Sequence, residues 1–147
     1  MHWYVKKFNT LSVDELYGLL HLRNEVFIVE QNCVYLDIDF MDQKSFHIFL
    51  EDNGRIVACA RLIPAGVKLE NISIGRVIVS PDYRRQGFAK ELLTRSLASI
   101  DELIGTGDIE LHGQAYLVDF YESFGFECIG DSFLEDGIPH FRMIKKL

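Results

Sequence analysis

Apolar residues recur at helical spacing early in the chain and in strand-like runs after it. Ser12 with Glu15 three places on forms a capping box. Leu16, Leu20, Arg23 and Phe27 then share one stripe, with Leu19 and Val26 beside it. The pattern predicts a helix from Val13 to Arg23, continued by a short second one through Glu30. "SFHIFLEDNGRIVACARLIP" reads as a hairpin about Asn53-Gly54, the dipeptide that best fits a tight two-residue turn. "NISIGRVIVSP" is a further strand, stopped at Pro81.

A helix runs from Gly87 to about Ile100, and "IELHG" is a short strand after it. "QAYLVDFYESFG" places Leu117, Tyr121 and Phe124 in helical register and ends at Gly125, a C-cap position. "FECIG" and "HFRMIKKL" form two last strands, joined by an acidic loop, "DSFLEDGIP". The order is β-α-(α)-β-β-β-α-β-α-β-β. It predicts an α/β chain of the α+β type with a mixed sheet, six to seven strands and about four helices. The strands at Ile72 and at Ile109 flank a crossover helix and should be parallel. No linker or repeat divides residues 1–147, which are read as a single domain.

Ile72, Ile74, Ile78 and Arg76 fall on one strand face, and an arginine buried there is costly unless paired. A bulge at Gly75 would switch the alternation and splay this strand from "IELHG".

Composition removes several classes. The net charge of -7 argues against non-specific nucleic-acid binding. No run is long enough for a membrane span and the N-terminus lacks a signal peptide, so a cytoplasmic protein without membrane or nucleic-acid partners is expected. Cys33, Cys59 and Cys128 are too few for a disulfide framework or a metal site. Cys59 and Cys128 are read as core residues and Cys33 as more exposed.

The candidate chemistry starts at "SPDYRRQGFAKELL". A helix start attracts anions because its first N–H groups lack acceptors and its dipole is positive there. Arg84, Arg85, Gly87 and Ala89 supply two cations and little bulk around such a start. A surface turn with solvated arginines is the alternative. Neither a Walker loop nor a Gly-x-Gly-x-x-Gly loop is present.

Val77-x-Val79-x-Pro81 followed by Arg84-x-x-Gly87-x-Ala89 resembles the acyl-CoA signature of the GNAT N-acetyltransferase superfamily. "FYESFGF" resembles its second signature, and "VEQNCVYLDID" and "EDGIPHFRM" resemble its ElaA-like branch. The resemblance spans nearly the whole chain and implies the GNAT-like acyl-CoA N-acyltransferase fold. It implies that Val77, Ile78 and Val79 pair with the pantetheine arm of acetyl-CoA. Arg84, Arg85, Gln86, Gly87, Phe88 and Ala89 would then hold the pyrophosphate. Gln114 stands where the family usually has Asn, and a cofactor contact from it is expected.

By the same resemblance Tyr121 is the general acid for the leaving thiol, although it also lies on an apolar stripe. A backbone N–H near Val77 or Ile78 is the oxyanion donor. Glu110 and His112 share a face of "IELHG" and are the candidate bases, with ordered water as the alternative. His47, Glu30 and His140 are weaker candidates. Glu30, Asp37, Asp39, Glu135 and Asp136 give two acidic loops that would suit an amine acceptor.

The implied activity is an acetyl-CoA-dependent N-acetyltransferase acting on a primary amine of a small molecule, peptide or protein, with no metal. The alternative is a non-catalytic acyl-CoA-binding domain of the same fold. Exposed edge strands leave a homodimer open.

Overall fold

In the computed structural model, which describes residues 1–147, the capping box at Ser12 closes both ways. Ser12 Oγ accepts from the Glu15 N–H at 3.0 Å, and Glu15 Oε1 accepts from the Ser12 N–H at 2.8 Å. Helix α1 (Val13–Arg23) starts there and widens at its end into π-helical turns over Asn24–Glu30. The buried stripe is Leu19, Leu22, Arg23 and Val26, one position off the predicted one; Leu16 and Leu20 are half-buried at its edge.

Strands β1 (His2–Lys7), β2 (Phe46–Asp52), β3 (Arg55–Ile63) and β4 (Ile72–Val79) form an antiparallel run. Helix α2 (Phe88–Leu103) crosses to β5 (Ile109–Gln114), which is parallel to β4. The short α3 (Val118–Glu122) leads to β6 (Phe126–Glu135) and β7 (Ile138–Lys145). The sheet order is β1-β2-β3-β4-β5-β7-β6. Seven strands and three α-helices bear out the expected mixed sheet.

The two faces of the sheet are covered differently. Leu92, Leu93 and Ile100 of α2 pack on Ile48, Leu62, Ile74 and Leu111, with Tyr121, Phe126 and Met143 completing that layer. Leu19, Leu22 and Val26 cover Phe49, Cys59 and Ile78 on the other side. Each such side chain contributes about 1.5–3 kcal/mol when fully buried. No helix is long and apolar enough to cross a membrane.

Two expectations need correction. The acidic segment "DSFLEDGIP" is not a loop: β6 continues through it, past a register shift between Ile129 and Phe133. The hairpin turns at Asp136 and Gly137, both at positive φ (52° and 78°), as a type I′ turn requires. Polar residues are tolerated along β6 because it is the outer strand of the sheet. For the same reason Cys128 is exposed rather than core, whereas Cys59 is buried.

The predicted bulge is present in β4, one residue past Gly75, which itself stays in register. Cys59 pairs with Ile78, but Arg61 pairs with Gly75, so Arg76 and Val77 both stand opposite Ala60. Arg76 takes a positive φ of 53° there. Beyond the bulge β4 turns away from β5: the two strands register only at Ile72–Ile109 and Ser73–Glu110. The sheet is forked at its centre.

Candidate active site

The fork opens into a cavity of about 1010 Å³, walled by β4, β5, the Val26–Leu36 segment, the start of α2 and the tip of the β6–β7 hairpin. Val77, Ile78 and Val79 line it along the free edge of β4. Arg84, Arg85, Gly87, Phe88 and Ala89 line the end at the helix start, and Gln114 lies across from them on β5. Gln86 is exposed and outside the wall.

At the helix start the geometry follows from two positive dihedrals, φ 63° at Arg85 and 84° at Gly87. A Cβ at Gly87 would meet nothing within 4 Å, so the glycine serves the left-handed turn and leaves the backbone open. The first helical bond runs from the Glu91 N–H to Gly87 O at 3.1 Å. The N–H groups of residues 85–90 have no acceptor in the protein. Six adjacent donors and two arginines make an anion site of the kind a pyrophosphate needs. Arg84 is positioned in advance: its Nε donates to Val79 O at 3.0 Å, and Nη1 and Nη2 donate to Glu30 at 2.7 Å each.

Tyr121 sits at the root of the fork. It is 5% exposed, packs edge-on against Phe120 and Phe126, and lines the cavity. Its hydroxyl makes no hydrogen bond to the protein. Burial, with Tyr116 nearby, pushes its pKa up to about 12, so the phenol keeps its proton.

His112 also lines the cavity, on the opposite face of β5. Its Nδ1 lies 3.2 Å from Glu135 Oε1 and its Nε2 3.6 Å from Glu110 Oε2. Glu110 itself is buried behind it, outside the cavity wall, and accepts from Arg142 Nε at 2.8 Å and Nη2 at 3.1 Å. Those bonds outweigh burial and hold its carboxyl below the usual glutamate range. His140 Nε2 lies 3.5 Å from Glu135 Oε2. His47 is away from the cavity, buried with Nε2 2.8 Å from Asp42 O.

The fold subdivides the acidic residues that the sequence groups together. Asp37 and Asp39 are ion-paired: Arg23 Nε reaches Asp37 at 2.8 Å and Arg61 Nη1 reaches Asp39 at 2.8 Å. Asp42 bridges Arg23 and Arg61 at 2.7 and 3.1 Å. Arg76 Nε stands 2.7 Å from Asp37 as an ion pair, although the two are not aligned as a hydrogen bond. This network pins the irregular segment between Gln31 and Met41, whose backbone joins no sheet. The acidic lining expected around an acceptor is therefore largely neutralised.

A family profile described as "Acetyltransferase (GNAT) domain" matches residues 12–147. The chain belongs to the GNAT acetyltransferase family. Protein ElaA of Escherichia coli is 39% identical over 149 residues, covering 100% of this chain and 97% of ElaA. The crystal structure of ElaA superposes with a TM-score of 0.91 over 99% of this chain and 100% of that one. An acyl-CoA N-acyltransferase from Pseudomonas aeruginosa superposes at 0.94, with 34% identity and 99% of each chain covered. A UPF0039 protein of Schizosaccharomyces pombe is 43% identical over 140 residues, 94% of this chain and 92% of its own. The forked sheet and open helix start are thus the acyltransferase fold of the GNAT family, in its ElaA-like branch. No group of three His, Cys, Asp or Glu residues is arranged to hold a metal ion.

The residues the sequence did not single out are Arg61, Lys68 and Ser73. Arg61 had a signal, a charge inside the apolar run "VACARLI". Lys68 had none, since its place at the cavity depends on how the β3–β4 loop folds back, and Ser73 had none because it reads as one more position of the β4 run.

Proposed function

We propose that the protein transfers an acetyl group from acetyl-CoA to a primary amine by direct attack. The observation that carries this reading is the convergence of two free strand edges on six unpaired N–H donors. The donors at residues 85–90, with Arg84 and Arg85, hold the pyrophosphate, and the edge of β4 at Val77–Val79 holds the pantetheine arm. Gln114 contacts the cofactor from across the fork. The thioester supplies an activated acetyl carbonyl when bound.

The chain's own groups then manage protons. His112, or water held by it, accepts the proton that the attacking amine must lose, with Glu135 and Glu110 orienting the ring. A backbone N–H at Val77 or Ile78 steadies the negative oxygen that develops as the carbon–nitrogen bond forms. Tyr121 O–H gives its proton to the sulfur as the carbon–sulfur bond breaks. Amide and free thiol leave, and the proton held at His112 balances the one lost from Tyr121.

Release of CoA thiol from acetyl-CoA, measured across a panel of primary amines, tests the reading. Amine-dependent release with N-acetylated product by mass spectrometry supports it. Calorimetric binding of CoA with no release for any amine would instead make the chain a CoA-binding domain.

A further inference from the structure

The end of the cavity remote from the helix start is built on the sheet face that carries α1, and its unpaired polar groups are three donors, on Lys68, Arg76 and Ser73, against one carboxylate, Asp136. Lys68, in the loop between β3 and β4, lines the wall, and no carboxylate lies within ion-pair distance of its ammonium. Arg76 lines the same wall; its Nε and Nη2 are turned to Asp37 and Asp39, while Nη1 makes no bond. Ser73 is 4% exposed at the root of the fork, and its Oγ has no partner at all. A buried hydroxyl of that kind is costly unless a ligand or water meets it.

All but one of the carboxylates on this side are already engaged. Glu135 lies between His112 and His140. Asp37 and Asp39 belong to the arginine network. Asp136, at the hairpin tip, is the acidic wall residue with no cation beside it. A bare amine entering here can pair with Asp136 but leaves the unpaired donors of Lys68, Arg76 and Ser73 unsatisfied. Lys68 is exposed at the rim of the cavity; partial desolvation there, together with Arg61 and Arg76, lowers its pKa, so an anion placed beside it offsets the repulsion among the three cations.

We infer that the acceptor is a small primary amine carrying a carboxylate on the same molecule, with Lys68 and Arg76 Nη1 holding the carboxylate and Ser73 donating to it. The amine end then points toward His112 and the fork. The inference rests on the acetyl-transfer reading above and adds its substrate class. A protein-sized acceptor that presents only a lysine side chain lacks the group these donors need.

The test compares amino acids with their methyl esters and their decarboxylated amines as acceptors, following CoA thiol release with native protein, Lys68→Met and Lys68→Arg. The carboxylated member of each pair should be preferred by about 10-fold or more, the value of one charge-assisted contact. Lys68→Met should remove that preference while leaving the KM for acetyl-CoA and the rate with esters unchanged, and Lys68→Arg should restore most of it. Equal use of acids and esters, or an equal loss on both in Lys68→Met, overturns the inference while acetyl transfer stands. Calorimetry on the CoA-saturated protein separates the reverse case. An amino acid that binds native protein but not Lys68→Met, with no acetylation of any amine, upholds the carboxylate site and removes the enzymatic reading.

Discussion

Glu30 holds Arg84 at two points, each nitrogen 2.7 Å from a carboxylate oxygen, while Arg84 Nε grips the end of β4 at Val79 O. The pair joins the π-helical turn after α1 to the loop before α2 across the mouth of the cavity. The Arg84 bonds outweigh burial in keeping the Glu30 carboxyl ionised. Replacing Arg84 with Ala should weaken CoA binding by about 10-fold, as expected for loss of a charged contact. Glu30→Gln should tighten it a few-fold at low salt by removing a negative charge near the phosphates, a gain that about 1 M salt erases. Calorimetry with CoA at two ionic strengths measures both.

Tyr121→Phe should lower kcat by about 10²–10⁴-fold, the usual range for a lost general acid, with little change in thermal stability because the hydroxyl has no protein partner. Since burial raises the phenol to about 12, its protonated form persists far above neutrality. The pH–rate profile of the native protein should therefore show no alkaline decline at the ordinary tyrosine value of 10.0. An unchanged kcat in Tyr121→Phe across the pH range removes the acid role.

Gly113 leaves room for that ring. A Cβ there would stand 3.0 Å from Tyr121 Cδ2 and 3.2 Å from Met143 Sδ, both in the packed layer under α2. Gly113→Ala should cost about 1–3 kcal/mol of stability through overpacking and lower kcat by displacing Tyr121. CoA affinity, set at the other end of the fork, should hold. Denaturant titration and calorimetry check the two halves of the statement.

The buried arginine and aspartate network governs acid stability. Burial raises the Asp42 pKa, but bonds from Arg23 and Arg61 more than offset it, and the net value falls below the ordinary 3.8. Asp39 is lowered in the same way, chiefly by Arg61 against its burial. A depressed folded-state pKa means the stabilisation is complete above about pH 4 and is lost as the pH falls through the lower folded value. Asp42→Ala should cost about 3–5 kcal/mol, because it leaves two buried guanidiniums short of a partner, and should flatten the acid limb of the stability curve. Thermal melts between pH 2 and pH 7 resolve both effects.

The parts of the fold that the chain announces locally were legible in advance. The Ser12–Glu15 box, the Asn53-Gly54 turn and the bulge just after Gly75 each rest on residues close in sequence. The helix start was legible too, since Gly87 and the two arginines stand together. The acidic β6 segment was misread because an outer strand does not need the apolar alternation that marks an inner one. The arginine network was missed because Arg23, Asp37, Asp42 and Arg61 meet only once α1, the 31–41 segment and β3 are packed. Read in sequence order, Asp37 and Asp39 looked like free acids facing a substrate.

Only two register pairs, Ile72–Ile109 and Ser73–Glu110, stitch β4 to β5. The sheet is therefore two stiff plates, β1 to β4 and β5 to β7, sharing a short seam at one end. Arg84 and the helix start ride with the first plate, Gln114 and His112 with the second. Any molecule that lies along the fork touches both and so becomes a mechanical member of the protein. Its arrival should slow amide exchange along the facing edges of β4 and β5 together, and its departure should release them together.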